Sequence, residues 1–424
     1  MPAFERADRE LAADLFESVR KLSAGRVGVT RPSYSEIETA AAEVIGEAAR
    51  AAGLATRSDA AANLVIESPH APPRGPACWI GSHLDSVPQG GNYDGLAGVI
   101  AGFLCAAKLR QQKLALERPL AVIGLRGEES AWFGKPYLGS YALFGLLKPQ
   151  DLERKHRDTG RPLGEYMEKV GADVRRIAAG ERLVDAQAVG AWLEFHIEQG
   201  PIMVAREAPV GVVTGIRGML RHVSARCHGT AGHSGAVPRW LRHDAVFALA
   251  DLLMRLDENW QALNSRGADL VVTSGVVGTD PSEHSVSRIP GDVRFSLEFR
   301  SQSLETLEAF YQLALVETAG IERARGVKFD FGERVLSEPG RIDRDWAARL
   351  KKACVDLGYP HIDIPSGAGH DAAVFANQGV PAAMLFVRND NGSHNPDEKM
   401  DLDDFMMGVE VLYQAVTANS EPLR

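Results

Sequence analysis

The first half of the chain alternates between helical and strand-like hydrophobic patterns. Residues 6–22 and 33–52 carry apolar side chains three and four positions apart, which is the spacing of amphipathic helices. A longer apolar segment at 94–112 predicts a further helix. Buried strands are predicted by the short apolar runs at 63–67, 77–82, 119–125 and 191–195. Strands that alternate with helices indicate an α/β fold with a mixed, mostly parallel sheet and helices on both faces.

The pattern changes near residue 211. Residues 212–228 alternate between apolar and polar side chains, which is typical of antiparallel strands with one buried face. The elements predicted after them are a helix at 240–260, strands at 270–277 and 293–300, and a helix at 304–319. This order predicts an inserted, smaller α+β (ferredoxin-like) domain over residues 212–328. Residues 1–211 and 329–424 then form the two parts of the first domain.

Three of the predicted strands run into polar residues that can bind metal ions. His83 and Asp85 follow the first strand, Glu128 and Glu129 follow the second, and His196 follows the third. Because ligands bind outside the carboxyl ends of the strands in an open α/β sheet, we expect these side chains to converge there. The adjacent glutamates have an alternative interpretation as a solvated turn. If they form part of a site, one can bind metal while the other takes a proton from water.

Two further residues can reach the same edge of the sheet. Asp94 is predicted as the N-cap of the helix after the first strand, and His394 lies in a late loop. A single histidine among the twelve in this chain is more often a packed or surface residue than a ligand. Five metal-binding side chains together predict a metal centre, namely His83, Asp94, Glu129, His196 and His394. Nitrogen and carboxylate ligands without cysteine suit Zn²⁺ and tolerate Mn²⁺, Co²⁺ or Ni²⁺. A two-metal site needs a bridging carboxylate, and Asp94 is the candidate.

Composition and charge narrow the class of protein. The chain of 424 residues has 47 basic and 56 acidic side chains, and its net charge of −9 argues against nucleic acid or an anionic membrane as the main partner. The four cysteines form no CxxC pair, which fits a reducing compartment, and Cys78 and Cys105 lie in apolar runs that predict core positions. The longest apolar run, at 95–107, is shorter than the about 20 residues of a membrane span. We therefore expect a cytoplasmic protein without a membrane segment.

Seven motifs occur in order over essentially the whole chain, and they carry a family resemblance. They are GSHLDSVPQGGNYDG, RGEES, EFHIEQGP, GTAGHSGAVP with RHDA, IPGDVRFSLEFR, SGAGHDA and GSHNPDE. Together they resemble the dinuclear zinc amidohydrolases of the N-carbamoyl-L-amino-acid hydrolase, allantoate amidohydrolase and β-ureidopropionase branch. This branch belongs to the aminoacylase/carboxypeptidase metallopeptidase superfamily. The resemblance implies a catalytic domain and an inserted domain that serves as lid and homodimer interface.

The resemblance also implies roles for the residues at the strand ends. The implied ligands form two sets that share one carboxylate: His83, Asp94 and His196 for one ion, and Asp94, Glu129 and His394 for the other. Glu128 would be the general base and then the general acid, and Asp85 would orient His83. A histidine at position 196 is typical of the carbamoyl-hydrolysing branch, whereas peptidase and deacylase relatives usually have a carboxylate there.

Residues on the substrate side follow from the same resemblance. His233 would reach the active site of the partner subunit and polarise the scissile carbonyl. Arg300 would bind the substrate carboxylate, a task that suits the two-pronged geometry of a guanidinium group. Gln199, Gly369 and His370 would line the pocket.

The chain departs from the family pattern in the inserted domain. Ser287 stands where an asparagine usually helps to bind the carboxylate end of the substrate, and a serine loses one amide contact. Arg239 stands where a methionine is usual, and Arg217 and Arg288 add further positive charge. These changes leave the hydrolytic residues intact. They make a bulkier or differently charged amide as compatible as the usual carbamoyl amino acid.

The sequence therefore predicts a metal-dependent amidohydrolase that binds two divalent ions and cleaves a linear, non-peptide C–N bond. The expected substrate is a small ureido or amide compound with a carboxylate, most simply an N-carbamoyl-L-amino acid, which yields the amino acid, CO2 and ammonia. The alternatives are an allantoate-type enzyme, an aminoacylase or dipeptidase with an atypical substrate, and an inactive binding protein that kept the fold. His196 argues against the aminoacylase, and the complete ligand set argues against the inactive protein.

Overall fold

The computed structural model describes residues 3–67, 75–116, 118–418 and 421–422. By their internal contacts these residues form two units, each of which is described by itself. The larger unit comprises the described residues of Met1–Thr214 and Arg341–Arg424, and the smaller unit is Gly215–Gly340. The inserted segment predicted from sequence was 212–328, so the unit begins and ends later along the chain than that expectation.

The helices of the larger unit are α1 (Arg6–Ser23), α2 (Glu36–Ala51), α3 (Leu96–Gln111), α4 (Leu138–Leu143), α5 (Pro149–Leu152), α6 (Leu163–Lys169), α7 (Val174–Ala178), α8 (Ile202–Ala205), α11 (Arg344–Leu357), α12 (Asp371–Asn377) and α13 (Leu402–Thr417). Its strands are β1 (Ala55–Ser58), β2 (Leu64–Glu67), β3 (Ala77–His83), β4 (Leu114–Ala115), β5 (Leu120–Leu125), β6 (Val189–Ile197), β7 (Val210–Ile216), β16 (His361–Ser366), β17 (Ala382–Val387), β18 (Asn389–Asp390), β19 (Lys399–Met400) and β20 (Glu421–Pro422).

The elements of the smaller unit are the helices α9 (Ala245–Ser265) and α10 (Leu304–Arg325) and the strands β8 (Gly218–His228), β9 (Gly232–His233), β10 (Val271–Thr273), β11 (Val277–Gly278), β12 (Arg288–Ile289), β13 (Asp292–Ser301), β14 (Lys328–Asp330) and β15 (Val335–Ser337). Short 3₁₀ turns lie at Ala186–Ala188, Arg239–Leu241 and Pro281–Glu283.

The sheet of the larger unit has eight strands in the order β1-β2-β5-β3-β6-β17-β7-β16. Its four central strands, β5, β3, β6 and β17, pair in parallel. β1 and β2 continue the sheet antiparallel on one side, and β7 pairs antiparallel with β17 on the other. The predicted mixed sheet with a parallel centre is confirmed. β7 was expected in the inserted domain, but its apolar residues pair with β17 in the large sheet instead.

Side chains that alternate along the strands show that helices cover both faces of this sheet. Cys78 and Ile80 of β3 belong to the core built with α1, α2, α3, α11 and α13. Trp79, between them, faces the other way. Its ring centroid lies 6.1 Å from that of Phe375 in α12, and Trp192 of β6 stacks on the same phenylalanine at 4.2 Å. The helices predicted on both faces are therefore present.

The smaller unit contains an antiparallel sheet with the strand order β10-β13-β8-β14. β11 also pairs with β13, and β15 also pairs with β8. Along the chain its main elements follow the β-α-β-β-α-β order of ferredoxin-like folds, as predicted. Alternate residues of β13, including Phe295 and Phe299, pack in one core with α9 and α10. Because β14 and β15 both pair with β8, the smaller unit extends beyond the predicted boundary at 328.

Three helices begin later than their hydrophobic pattern predicts, and side-chain caps explain two of them. α2 begins at Glu36 because the side chain of Ser35 accepts a hydrogen bond from the backbone of Glu38. α9 begins at Ala245 because the Asp244 carboxylate accepts the first free N–H groups. α3 begins at Leu96, with Gly95 rather than Asp94 at the cap position. Asp94 is thereby available for another task.

The cysteines and helices bear on two further predictions. Cys78, Cys105, Cys227 and Cys354 are free and buried, which confirms the core position predicted for Cys78 and Cys105. Among the helices that the structure describes, none combines the length and the apolar character that crossing a membrane requires.

Candidate metal centre

The carboxyl ends of the central strands bring the predicted ligands together. His83 is the last residue of β3, and His196 lies within β6, one residue before its end. β5 and β3 pair in parallel so that Leu125 lies opposite His83. The turn that carries Glu128 and Glu129 therefore begins at the same edge of the sheet.

A first ligand group consists of His83, Asp94 and His196, all buried. Asp94 Oδ1 lies 3.4 Å from His83 Nε2 and 3.1 Å from His196 Nε2, and the two nitrogens are 3.5 Å apart. No hydrogen bond to this buried oxygen is found among the described residues. Such an oxygen, facing two imidazole nitrogens, fits a cation between the three atoms.

The other ring nitrogens of both histidines support this interpretation. His83 Nδ1 is 3.2 Å from the carbonyl oxygen of Asp85 and 3.3 Å from its carboxylate Oδ1. His196 Nδ1 is 2.8 Å from the carbonyl oxygen of Ile197. These acceptors favour a hydrogen on Nδ1, which leaves a lone pair on Nε2, and the N–H of Gly95 points at His196 Nε2 from 3.2 Å. Both histidines thus present the nitrogen that a metal ion needs.

A second ligand group consists of Asp94, Glu129 and His394. His394 Nε2 lies 3.3 Å from Asp94 Oδ2 and 3.3 Å from Glu129 Oε1. The Asp94 carboxylate thus turns one oxygen to each group. The two groups match the two ligand sets that the family resemblance implies. They differ in exposure, since the side chain of His394 is 53% exposed whereas Glu129 and the members of the first group are buried.

The charges of the cluster suit a cation. Burial by itself would lower the pKa of His83, but the neighbouring carboxylates of Asp85 and Asp94 raise that pKa well above its ordinary value. Hydrogen bonds with Asp94 and Glu129 raise the pKa of His394 to about 11. Burial would raise the pKa of Asp94, yet its three histidine neighbours hold it well below its ordinary value. The carboxylates therefore favour positive charge among the three histidines, and a bound metal ion would supply that charge.

Asp85 connects the first ligand group to the Glu128-Glu129 turn. Its carboxylate is fully buried, and Oδ1 accepts the backbone N–H of Glu128 at 3.1 Å. Oδ2 accepts the N–H of Glu129 at 3.1 Å and the hydroxyl of Ser33 at 2.5 Å. Since Oδ1 also lies beside His83 Nδ1, one carboxylate orients the histidine and the turn together.

Glu128 lies beside the first ligand group and is partly buried. Its Oε2 is 4.0 Å from His83 Nε2. Burial raises the pKa of Glu128 well above its usual range, and the charges of Glu129, Asp371 and Asp85 act in the same direction against the opposing effect of His83. A carboxylate of this kind binds a proton readily and can give it up again.

Gly95 allows the close approach of Asp94 and His83. Its φ is +67°, in the left-handed region that favours glycine, and a Cβ atom there would lie 2.4 Å from Cε1 and Nδ1 of His83. Any side chain at this position would therefore displace a predicted ligand.

The three predicted pocket residues contact other parts of this centre. Gln199 donates from Nε2 to Asp94 Oδ2 at 2.8 Å. His370 is buried, and its ring lies 4.6 Å from that of His196. Gly369 approaches Tyr137 so closely that a Cβ would lie 1.9 Å from the tyrosine oxygen. Nε2 of His370 contacts Ser366 Oγ at 2.8 Å, and burial lowers the pKa of His370 well below its ordinary value.

The remaining predicted residues belong to the smaller unit. His233 is exposed on β9, and its Nδ1 accepts the backbone N–H of Gly235 at 3.1 Å. The carbonyl of Ser287 accepts the N–H of Ser234 at 2.8 Å. Arg300 lies on β13, on the face opposite the helices, and its Nε donates to Glu298 at 2.6 Å.

The arginines that depart from the family pattern also lie in this unit. Arg239 is exposed, Arg288 pairs with Glu283 at 2.7 Å, and Arg217 donates to Asp269 at 2.9 Å. The positive charge of the last two is therefore already matched by a carboxylate within the same unit.

Three residues at the centre were missed by sequence reasoning: Ser33, Ser393 and Glu398. Ser33 was assigned to a helix, although it lies before the helix begins and donates to Asp85. Ser393 and Glu398 lie in the motif GSHNPDE on either side of His394, so an acid and a hydroxyl flanking a predicted ligand were the available signal. Burial raises the pKa of Glu398 to about 7, and the charge of Asp94 adds to that shift.

Comparison with known proteins finds similarity over most of the chain. The sequence model of the family described as Peptidase family M20/M25/M40 matches residues 79–418. The N-carbamoyl-L-amino acid amidohydrolase of Geobacillus stearothermophilus is 33% identical over 390 residues, 92% of this chain and 93% of that protein. The allantoate amidohydrolase of Escherichia coli strain K12 is 30% identical over 388 residues, 91% of each chain.

Solved structures show the same similarity. The structure of a hydantoinase/carbamoylase family amidase from Burkholderia ambifaria matches with a TM-score of 0.82 and 29% identity, over 97% of this chain and 98% of that chain. A further amidase of the hydantoinase/carbamoylase family, from Burkholderia phymatum, matches with a TM-score of 0.82 and 28% identity over 97% of each chain.

Proposed function

The chain belongs to peptidase family M20/M25/M40, and from this premise we propose that it is an amidohydrolase that cleaves a linear ureido C–N bond. The preferred substrate is an N-carbamoyl-L-amino acid, which yields the amino acid, CO2 and ammonia. Relatives that cover more than nine tenths of the chain carry the names N-carbamoyl-L-amino acid amidohydrolase and allantoate amidohydrolase. An allantoate-type substrate is therefore the second candidate.

The observation that carries this proposal is the pair of ligand groups that share Asp94, with Glu128 beside them. Each group joins histidine nitrogen to carboxylate oxygen, a donor set that suits Zn²⁺. Bound divalent ions would supply Lewis acidity that acidifies water and polarises a carbonyl oxygen. We propose two Zn²⁺ ions per chain, one in each group.

Glu128 transfers the proton in this reaction. It takes a proton from the attacking water and then passes the proton to the leaving nitrogen. Its burial supports both steps, because the raised pKa makes the carboxylate a better base than an exposed glutamate and leaves a carboxylic acid that can still donate. Asp85 keeps the backbone of Glu128 and the ring of His83 in place.

Residues of the smaller unit bind the organic part of the substrate. His233 polarises the scissile carbonyl, because its Nδ1 accepts the N–H of Gly235 and Nε2 then carries the hydrogen that can be donated. Arg300 binds the substrate carboxylate. We further propose that the chain is a cytoplasmic homodimer in which His233 reaches the active site of the partner subunit.

A coupled ammonia assay tests the function. Protein supplied with Zn²⁺ is assayed with N-carbamoyl-L-amino acids, allantoate and N-acetyl-L-amino acids. We expect ammonia from at least one ureido compound, and loss of that activity after chelation. Amino acid released from the N-acetyl compounds alone would make the protein an aminoacylase, and activity that a chelator leaves unchanged would contradict the mechanism.

The shared site has its own test. Dimers mixed from His233→Ala and Glu128→Gln chains contain one site with both intact residues if His233 acts across the dimer. We expect partial recovery of activity in such dimers. Mixed dimers that remain inactive would contradict the shared site while leaving the amidohydrolase proposal in place.

A further inference from the structure

Glu398 is a buried carboxylate that the proposed reaction does not use, and it touches two of the three segments that carry ligands of the second group. Its Oε1 accepts the backbone N–H of Tyr93 at 2.8 Å and that of Asp94 at 3.3 Å. Its Oε2 lies 2.5 Å from the hydroxyl oxygen of Ser393, the residue before His394. One side chain thus connects the loop of the bridging aspartate to the loop of the exposed histidine.

Ser393 extends this connection to a ligand atom. Its hydroxyl oxygen lies 2.7 Å from Asp94 Oδ2, the carboxylate oxygen that faces His394. Gly91 makes room for the carboxylate, since a Cβ at that position would lie 2.1 Å from Cδ of Glu398. Gly91, the second glycine of the Gly-Gly pair in the first motif, thereby has a packing reason.

The histidines of the two ligand groups are held differently. His83 and His196 lie on or at the end of central strands, and their Nδ1 atoms face the oxygens of Asp85 and Ile197. His394 lies in a loop, is half exposed and has a φ of +60°. A non-glycine residue keeps such a backbone conformation only when its surroundings hold it there.

We propose that Glu398, acting through Ser393, is a positioning residue that holds Asp94 and His394 in register and so sets the affinity of the second ligand group for its cation. The side chain does this through two backbone N–H groups and one hydroxyl, without itself being a ligand. This inference rests on the two-ion site of the proposed function.

The test is a calorimetric titration of Zn²⁺ into metal-stripped protein, with the metal content counted after dialysis. Because groups that orient metal ligands typically change affinity by about 10- to 100-fold, Glu398→Ala and Ser393→Ala should weaken the second binding event by at least about tenfold. The Zn²⁺ affinity of the first ligand group should stay within about twofold of its value in the original protein. A residue with a general structural role would not separate the two events.

A conservative variant and a matched control sharpen the test. Glu398→Gln keeps an oxygen for the two backbone N–H groups and places an amide donor at Ser393, so the second affinity should stay within about threefold. Glu410→Gln is the control. Glu410 is also buried and accepts a backbone N–H, that of Phe4 at 3.2 Å, but it lies on α13 and not in a ligand loop. It should leave both binding events unchanged.

Several outcomes would overturn the inference. One is an unchanged Zn²⁺ affinity of the second ligand group in Ser393→Ala, and another is an equal loss of affinity in both groups. A third is a Glu398→Gln variant that binds Zn²⁺ as weakly as Glu398→Ala, which would mean that the charge of Glu398 matters and not its position. If Glu398→Ala fails to fold, Ser393→Ala and Glu398→Gln decide the matter. Failure of the proposed function is separate, since a chain that releases no ammonia can still bind two ions with this asymmetry.

Discussion

Replacing Asp85 by asparagine changes one atom of a buried side chain whose two oxygens both accept hydrogen bonds. Oδ1 faces the N–H of Glu128 and the Nδ1 of His83, and Oδ2 faces the N–H of Glu129 and the hydroxyl of Ser33. An asparagine has one acceptor oxygen, so in either orientation its NH2 group meets a backbone N–H of the turn. No rotation of the side chain avoids this conflict.

The expected cost follows from those contacts. A buried N–H left without an acceptor costs about 1–3 kcal/mol, and the lost charge weakens the remaining hydrogen bonds. We therefore expect the free energy of unfolding of the metal-stripped protein to fall by about 2–4 kcal/mol. Since His83 also loses a carboxylate at Nδ1, Zn²⁺ affinity of the first ligand group should fall by about 10- to 100-fold.

Urea unfolding and Zn²⁺ titration measure the two effects, and metal-stripped protein is needed because bound ions add to the apparent stability. Asp371→Asn is the matched control. Asp371 is also buried, and only its Oδ1 has a described acceptor contact, with Ser140 at 2.5 Å. Burial and then the charge of Glu194 raise the pKa of Asp371 to about 8, so an amide resembles its protonated carboxyl. A stable Asp85→Asn variant, or equal losses in both variants, would refute the reasoning.

Three further predictions concern the ligands and the base. Glu128→Gln should keep both ions by metal analysis but lower kcat by about 10²- to 10⁴-fold, because the proton acceptor is gone; near-normal kcat would exclude Glu128 as the base. His394→Ala should retain one ion instead of two after dialysis, and retention of both would remove His394 from the ligand set. Asp94 and Glu129 raise the pKa of His394 to about 11, so a proton on His394 competes with the metal ion. Zn²⁺ affinity should therefore rise with pH between 6 and 9, and binding should release protons, which titration in buffers of different ionisation enthalpy measures. A pH-independent affinity would contradict this.

The boundary between the two units and the start of α2 could not be predicted from the hydrophobic pattern alone. β7 alternates like a strand of the smaller sheet, but it pairs with β17, which follows it by about 170 residues in the chain. Ser33 continues the helical pattern of α2, yet a serine can equally cap a helix or donate to a distant carboxylate. Local spacing does not distinguish these cases, because the deciding partner lies far away in the chain.

The types of residue at the strand ends carried most of the information about the centre. Histidine and carboxylate after buried runs predicted the ligands, since chemistry and strand direction are both local properties. Glu398 shows the limit of this local information. Its position near His394 in the chain indicates a place at the centre, but its contact with the backbone of Asp94, 304 positions away, is visible only in the structure.

The pattern of the chain determined the α/β class, the ferredoxin-like insertion and the set of candidate ligands. Hydrophobic periodicity and the metal-binding atoms of a side chain are local properties that depend only on residue type and spacing. The tertiary structure decided which oxygen of Asp94 faces which histidines, which carboxylate supports the Glu128-Glu129 turn, and where each unit begins and ends. These properties depend on distances of a few ångströms between residues that are distant in the chain, and such distances exist only once the sheet has formed.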